Sequence, residues 1–427
     1  MKVLLVQPYG DNGALKYHVI YKELENFIAS SKTKVDLIVF PEAYEMIEND
    51  IEVAWKKVRD VAHRFDTPVL MGISTAFGTE EAYYFNPYGE DTNPDGDTMY
   101  KMYVKHSTSP AVFFDFEEDP VLQQAVYMPI VLNGKLIQVC ICHDMFYPLL
   151  MERLHIEGMD ILINLTGGNV KISKWNALLK GRSLEISSTV LCTMGNRTSM
   201  GQKSDRIAFR DGHQLKPLYS TYDGTQRNAY SIFDLERYEK EQQPTPFYSD
   251  KQYEQFTVGF ENEDITFDEE GEIQTTLKEV EVLENSYRFE KNGEIIHFHF
   301  GGLYELYSRT YIYSEPRREN DHEVFFYSFE DKIPYDEAVA FAKLRAIENR
   351  VAVIICTDDY MIGAKTNRYK DVQLFHGESI GFDLQHMKGF DSVYEKNERS
   401  MNGINIVHKE KYEALINVGS RGEYANE

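Results

Sequence analysis

Four cysteines in 427 residues are too few, and too widely spaced, for a disulfide scaffold. They are Cys140, Cys142, Cys192 and Cys356, and three of them sit inside apolar runs, so a reducing, cytoplasmic setting is expected. Basic residues are also scarce, with 45 Lys and Arg against 69 Asp and Glu and a formal charge of −24. That deficit excludes nonspecific binding to nucleic acid or to an anionic membrane surface, since both depend on clustered cations facing phosphates. No stretch approaches the ~18 consecutive apolar residues that a membrane helix needs. The opening MKVLLVQPYGDN has one Lys and four apolar residues before Gln7 and Pro8, too short a core for a signal peptide. Glycine-rich phosphate loops are missing as well, so nucleotide binding has no motif behind it and no cofactor is expected.

What the chain does contain is alternation. Short runs rich in Val, Ile and Leu alternate with amphipathic stretches through about residue 240, the pattern of buried strands with covering helices in an α/β domain. Strands are predicted over Lys2–Gln7, Val35–Phe40, Pro68–Ser74, Leu136–Ile141, Ile161–Leu165 and Thr189–Thr193, with helices over Ala14–Ser30 and Glu52–Phe65. The polar stretch Glu239–Asp250 (EKEQQPTPFYSD) holds two prolines and little to bury, which divides the chain into residues 1–240, a linker 241–250 and a second domain 251–427. Glu261–Glu272 then carries seven acidic residues and no Lys or Arg; aromatic neighbours mark it as a solvated loop or hairpin.

A degenerate repeat links the two regions. Asn133-Gly134 is echoed by Asn292-Gly293, Arg182–Glu185 by Arg345–Glu348, and Val190–Thr193 by Ile354–Thr357, in the same order along the chain. A fainter echo joins Ala229–Glu239 to Ile404–Glu413. If the Asn-Gly pairs correspond, Cys142 falls on Gly301, so the second copy has no nucleophile, and it lacks any counterpart of the first ~90 residues.

Three polar residues stand at or just beyond the ends of strand-like segments. Glu42 follows VDLIVF through Pro41, which ends the strand and stiffens the turn. Lys105 closes MYKMYVK, and Cys142 closes KLIQVCI just before His143 and Asp144. Together they have a chemical logic. A thiol with a pKa near 8.5 is mostly protonated at neutral pH and needs a cation or base to become nucleophilic. Lys105 can supply the field, Glu42 the base, and Lys105 with the backbone N–H of His143 can hold the negative charge that develops when sulfur attacks a carbonyl or nitrile carbon. A metal site is not expected, because His143 and Asp144 are adjacent and no CxxC or HxxxH spacing lies near them. A Cys–His dyad is disfavoured, since neighbours on an extended segment point to opposite faces.

Glutamate, lysine and cysteine in that order resemble the nitrilase or carbon–nitrogen hydrolase superfamily. The resemblance rests on Phe40-Pro41-Glu42-Ala43, Tyr103-Val104-Lys105 and Val139–Asp144 with Pro148 beyond, followed by Gly158–Asn164, Trp175–Glu185 and Val190–Asn196, and it covers residues 1–240. It implies a four-layer α-β-β-α sandwich and a thioester acyl-enzyme, with Cys142 as nucleophile, Glu42 as general base and then acid, and Lys105 as charge stabiliser. Many members place a second glutamate between lysine and cysteine; Glu118 suits that spacing best, with Glu117 a close rival. The Cys-His-Asp triplet looks more like the amidase and formamidase branches than the nitrilase branch, so a small amide is expected over a nitrile, with His143 at the substrate. Departures are Leu149 after Pro148, where the family commonly has glutamate, and the bulky Met145. A non-catalytic scaffold and an N-acyltransferase using the same thioester are the alternatives. The resemblance also implies a homo-oligomer, or an intrachain pseudo-dimer if the C-terminal copy occupies the equivalent surface.

Overall fold

The computed structural model describes residues 1–10, 20–47, 51–75, 80–89, 101–106, 112–114, 129–146, 150–151, 154–155, 158–167, 172–197, 207–223 and 227–237. In the C-terminal part it describes 255–260, 263–268, 273–275, 278–283, 286–291, 294–307, 321–328, 333–349, 352–357, 361–365, 373–376, 379–382, 400–401 and 404–407. The chain divides into two compact units, Met1–Glu241 with Val407–Glu427, and Gln242–Ile406. The expected linker 241–250 lies outside the described residues.

The first unit is built on β1 (Lys2–Gln7), β2 (Leu37–Val39), β3 (Val69–Thr75), β4 (Glu80–Phe85), β5 (Lys101–Val104), β6 (Ile130–Leu132) and β7 (Lys135–Ile141). It continues through β8 (Ile161–Thr166), β9 (Thr189–Met194), β10 (Ala208–Arg210), β11 (His213–Gln214), β12 (Tyr219–Ser220) and β13 (Ala229–Asp234). Its helices are α1 (Tyr21–Ser31), α2 (Ile51–Phe65) and α3 (Ile172–Glu185). The predicted strands are all present within two residues at most at either end, and α1 runs from Tyr21, residues 11–19 lying outside the description.

An eight-stranded sheet runs β12-β13-β1-β2-β3-β4-β5, with the short strand Glu45–Ile47 beside β3. A six-stranded sheet runs β11-β10-β9-β8-β7-β6. Alternation along each strand sends side chains to two faces. Leu4, Val6, Ile38, Met71, Tyr83 and Ile232 face outward and pack on Leu24 of α1 and on Trp55, Val58 and Val61 of α2. Val3, Leu5, Leu37, Val39 and Leu70 on the other face are fully buried, where β1 meets β9 and β4 and β5 meet β7. A hydrogen bond crosses this interior from Thr193 Oγ1 to Val6 O at 2.5 Å. Helix α3 covers the outer face of the second sheet along β9 and β10. The unit is thus the α-β-β-α sandwich, closed by a strand that sequence reading leaves unassigned: β13 pairs antiparallel with β1 from Lys2↔Asp234 to Gln7↔Ala229.

The second unit contains β14 (Lys278–Leu283), β15 (Ser286–Lys291), β16 (Glu294–Gly301), β17 (Asp321–Ser328), β18 (Ala352–Cys356), β19 (Met361–Lys365) and β20 (Gln373–His376), joined in that order into one seven-stranded sheet. Its helices are α4 (Leu303–Tyr307) and α5 (Tyr335–Asn349). Of the acidic run, Glu263–Asp268 forms a strand that pairs antiparallel with Gln255–Phe260, and residues 261–262 and 269–272 lie outside the described residues. The connectivity of the large sheet repeats that of the six-stranded sheet in the first unit. In each, an antiparallel pair (β6-β7, β15-β16) leads into three parallel strands (β7-β8-β9, β16-β17-β18), a helix precedes the third (α3, α5), and an antiparallel strand follows (β10, β19).

A buried arginine recurs at the same place in both units. In the first, Arg182 of α3 donates from Nε (3.0 Å) and Nη2 (2.9 Å) to Met145 O, and Nη1 pairs with Glu185 at 2.6 Å. In the second, Arg345 of α5 donates from Nε (3.0 Å) and Nη2 (2.7 Å) to Leu306 O, and Nη1 pairs with Glu348 at 2.5 Å. Equating the two held carbonyls puts Leu303, not Gly301, at the place of Cys142, because the stretch from the Asn-Gly pair to the held carbonyl is two residues longer in the second unit. Arg182→Leu removes the buried ion pair with Glu185, both side chains 0% exposed, and the two bonds to Met145 O, and should lower the unfolding free energy by about 3–5 kcal/mol. Urea denaturation of the variant against the parent chain measures this; an unchanged midpoint would refute the role given to the arginine.

Candidate active site

Glu42, Lys105 and Cys142 converge from three strand ends in the first unit. Glu42 lies in the turn after β2, which runs close along β3: Phe40 N–H donates to Leu70 O at 2.8 Å and Tyr44 N–H to Gly72 O at 2.9 Å. Gly72 makes this approach feasible, since a Cβ there would stand 2.3 Å from Pro41 O and 2.6 Å from the Glu42 Cα. Lys105 follows β5 and is tied to β4 by its N–H, which donates to Glu80 O at 3.0 Å. Its ammonium pairs with Glu42 Oε1 at 2.6 Å, with both side chains 9% exposed. The other oxygen, Oε2, accepts from Gly167 N–H at 2.7 Å.

Cys142 opens a single 3-10 turn, Cys142–Phe146, directly after β7. Its φ of 48° lies in the left-handed region, where a residue with a Cβ is held only by its surroundings. Here the Asn164 amide donates to Cys142 O at 3.1 Å, Asp144 Oδ2 accepts from Ile141 N–H at 3.1 Å, and Arg182 grips Met145 O. The sulfur accepts from Thr166 Oγ1 at 3.3 Å, next to the Gly167 N–H that holds the Glu42 carboxylate.

The turn corrects one expectation. His143 Nδ1 lies 3.3 Å from the Cys142 sulfur, because the extended segment ends at Ile141 and the two-face alternation stops with it. The His143 ring is stacked on Phe146 with centroids 5.0 Å apart and meets the edge of Trp175 at 5.9 Å. Glu118 and Glu117 lie outside the described residues.

Electrostatics make the resting thiol neutral. Burial, with the Glu42 carboxylate beside it, pushes Cys142 up to about 12, against the opposing pull of Lys105 and the Thr166 hydrogen bond. Lys105 is the mirror case: burial lowers it, but Glu42, Cys142 and Asp144 together raise it above the ordinary lysine value and keep it charged. Its charge is paired with Glu42 at 2.6 Å, which offsets the pull toward thiolate that cation and thiol alone would produce. Cys140 on β7 and Cys192 on β9, the strands either side of β8, are pushed up chiefly by burial and both hydrogen-bond Asn164. All four cysteines are free and buried.

Sequence reading missed Thr166, Gly167 and Asn164. The signal available was the polar pair inside and at the end of the apolar run ILINLT, which ends at the sheet edge where β7 also ends. Among the described residues no group of three His, Cys, Asp or Glu side chains is arranged to hold a metal ion. No helix of the described residues is long and apolar enough to cross a membrane.

No family profile and no curated protein matches the chain. Among solved structures it is similar to an amidase from Nesterenkonia sp., at 14% identity over 55% of this chain and 90% of that one, with a TM-score of 0.40. It is similar also to Saccharomyces cerevisiae Nit3, a member of branch 10 of the nitrilase superfamily, at 15% identity, 55% and 90% coverage and a TM-score of 0.40. In solved structures, then, the likeness of this chain is to members of the nitrilase superfamily, an amidase from Nesterenkonia among them.

Proposed function

We propose that the first unit is a cysteine-dependent hydrolase of a non-peptide carbon–nitrogen bond, with a small amide as substrate. The observation that carries this reading is a buried thiol in a backbone turn of positive φ and a carboxylate paired to a buried ammonium, the sulfur and the carboxylate being held by the adjacent residues Thr166 and Gly167. The resting thiol is neutral, so the reaction needs a base at the moment of attack, and Glu42 is in place to be that base.

In this mechanism Glu42 takes the thiol proton as Cys142 Sγ bonds to the carbonyl carbon, and the π electron pair moves to oxygen. Lys105 Nζ and the His143 N–H stabilise that oxyanion. As the C–N bond breaks, Glu42 returns the proton to the leaving nitrogen, which departs as ammonia or an amine and leaves a thioester. Water then attacks the thioester, giving its proton to Glu42; collapse expels the sulfur, which is reprotonated, and the carboxylic acid leaves. Glu118 is the proposed second carboxylate and His143 the proposed substrate contact. The second unit is, on this reading, a partial copy without a nucleophile, with Leu303 where Cys142 stands. Free thiols throughout fit a cytoplasmic protein.

The test is ammonia release from acetamide, propionamide and butyramide, with the matching nitriles in parallel. Amide turnover above nitrile turnover is expected. Release of neither ammonia nor carboxylate from any of the six would count against the hydrolase.

A further inference from the structure

The carboxylate of Asp144 has no part in the bond-making steps above, yet it is fully buried two residues from the nucleophile. Among the described residues, Tyr103, His106 and Ile141 each donate to it. Oδ1 accepts from His106 N–H at 3.2 Å; Oδ2 accepts from Tyr103 O–H at 2.7 Å and from Ile141 N–H at 3.1 Å. Ile141 precedes Cys142, His106 follows Lys105, and Tyr103 lies two residues before Lys105. One carboxylate therefore holds the Tyr103 side chain before Lys105 and the His106 backbone after it, and ties both to the Ile141 backbone that leads into the thiol, bridging from the strand β5 of one sheet to β7 of the other. Because the Tyr103 hydroxyl donates to Asp144, its 2.9 Å contact with His106 Nδ1 has the imidazole as donor, which extends the bracket to a second buried ring.

We propose that Asp144 is a positioning residue that fixes the place of the Lys105 ammonium relative to the Cys142 sulfur. This rests on the hydrolase reading and deepens it. A carboxylate offers about four acceptor sites and no donor, which suits three incoming donors. Asparagine has the same shape but one acceptor oxygen. With that oxygen toward Ile141 and Tyr103, its amino group meets the His106 N–H, donor against donor, and the Lys105 backbone is pushed away; the flipped amide displaces the Cys142 side instead. Either shift enlarges the distance over which Lys105 must act. Tyr103→Phe removes one of the three bonds and leaves both backbone bonds in place.

The experiment uses the 427-residue chain and p-nitrophenyl acetate as acylating probe, with nitrophenolate release followed in single turnover and kcat and KM followed on acetamide. Asp144→Asn should acylate Cys142 ~100-fold more slowly, the cost of a misplacement of about 1 Å, with KM changed less than about threefold. Tyr103→Phe should be slowed by about three- to tenfold with the same pattern. A merely structural role would instead lower the thermal midpoint and the active fraction without slowing the correctly folded molecules. An Asp144→Asn rate within about threefold of the parent, or an effect confined to KM, overturns the proposal. If Asp144→Asn does not fold, Tyr103→Phe decides, and parent-like acylation by that variant overturns it. A parent chain that forms no acyl adduct on Cys142 removes the hydrolase reading, whereas a parent that acylates alongside an equally fast Asp144→Asn removes this inference alone.

Discussion

Replacing Cys142 with alanine should abolish amide turnover, with a loss of about 10⁵-fold or more in kcat, while leaving the fold intact. The magnitude follows from the mechanism: without sulfur no thioester can form, and what is left is whatever Glu42 and Lys105 contribute to direct attack by water. The expectation of an intact fold follows from the backbone. The φ of 48° is borne by a residue with a Cβ in either case, so the turn costs the same with alanine as with cysteine. The bonds that hold that turn, from Asn164, Asp144 and Arg182, go to backbone atoms and survive the change. An alanine variant that keeps its thermal midpoint and still releases ammonia at the parent rate would exclude Cys142 as the nucleophile.

Glu42→Gln should separate the two halves of the reaction. Amide turnover is expected to fall by about 10³-fold or more, since the same carboxylate moves a proton in both acylation and deacylation. The thiol itself should become easier to ionise. Burial and the Glu42 charge and hydrogen bond push Cys142 up to about 12, and glutamine removes the charge while Lys105 remains to pull the value down. The pH at which Cys142 reacts half-maximally with iodoacetamide should therefore move to lower pH in the variant. An activated ester should still acylate the sulfur, but the thioester should persist, because no base remains to take the proton of the attacking water. A midpoint that moves upward would mean that Glu42 does not face the thiol in solution.

Legibility differed by element for physical reasons. The buried parallel strands announce themselves because both faces are apolar, as in KVLLVQ and ILINLT, and Glu42, Lys105 and Cys142 were readable as candidates because each stands where such a pattern ends. Features that depend on register or on distant pairing were not readable. Strand β13 completes the first sheet from the far end of the domain, and nothing local in AYSIFD says that it lies against β1. Thr166 and Gly167 look like an ordinary strand end until the second sheet carries them to Cys142 and Glu42. Gly72 reads as a glycine within a strand, and only the nearness of the Glu42 turn shows why a Cβ cannot stand there. His143 was misplaced for a different reason: it lies two residues past the end of its strand at Ile141, where period-two alternation no longer applies. The arginine pair Arg182 and Arg345 was visible as a repeat, but its meaning, a grip on a backbone carbonyl (in the first unit that of Met145, within the Cys142 turn), depends on a contact 37 residues away in sequence in the first unit and 39 in the second.

The central claim is that a covalent acyl-enzyme forms on Cys142, and intact-protein mass spectrometry after exposure to p-nitrophenyl acetate tests it most directly. The Glu42→Gln chain should gain one acetyl group, located by peptide mapping on Cys142, while the Cys142→Ala chain should gain none. An acetyl group on another residue of Glu42→Gln, or the same adduct on Cys142→Ala, would contradict the account.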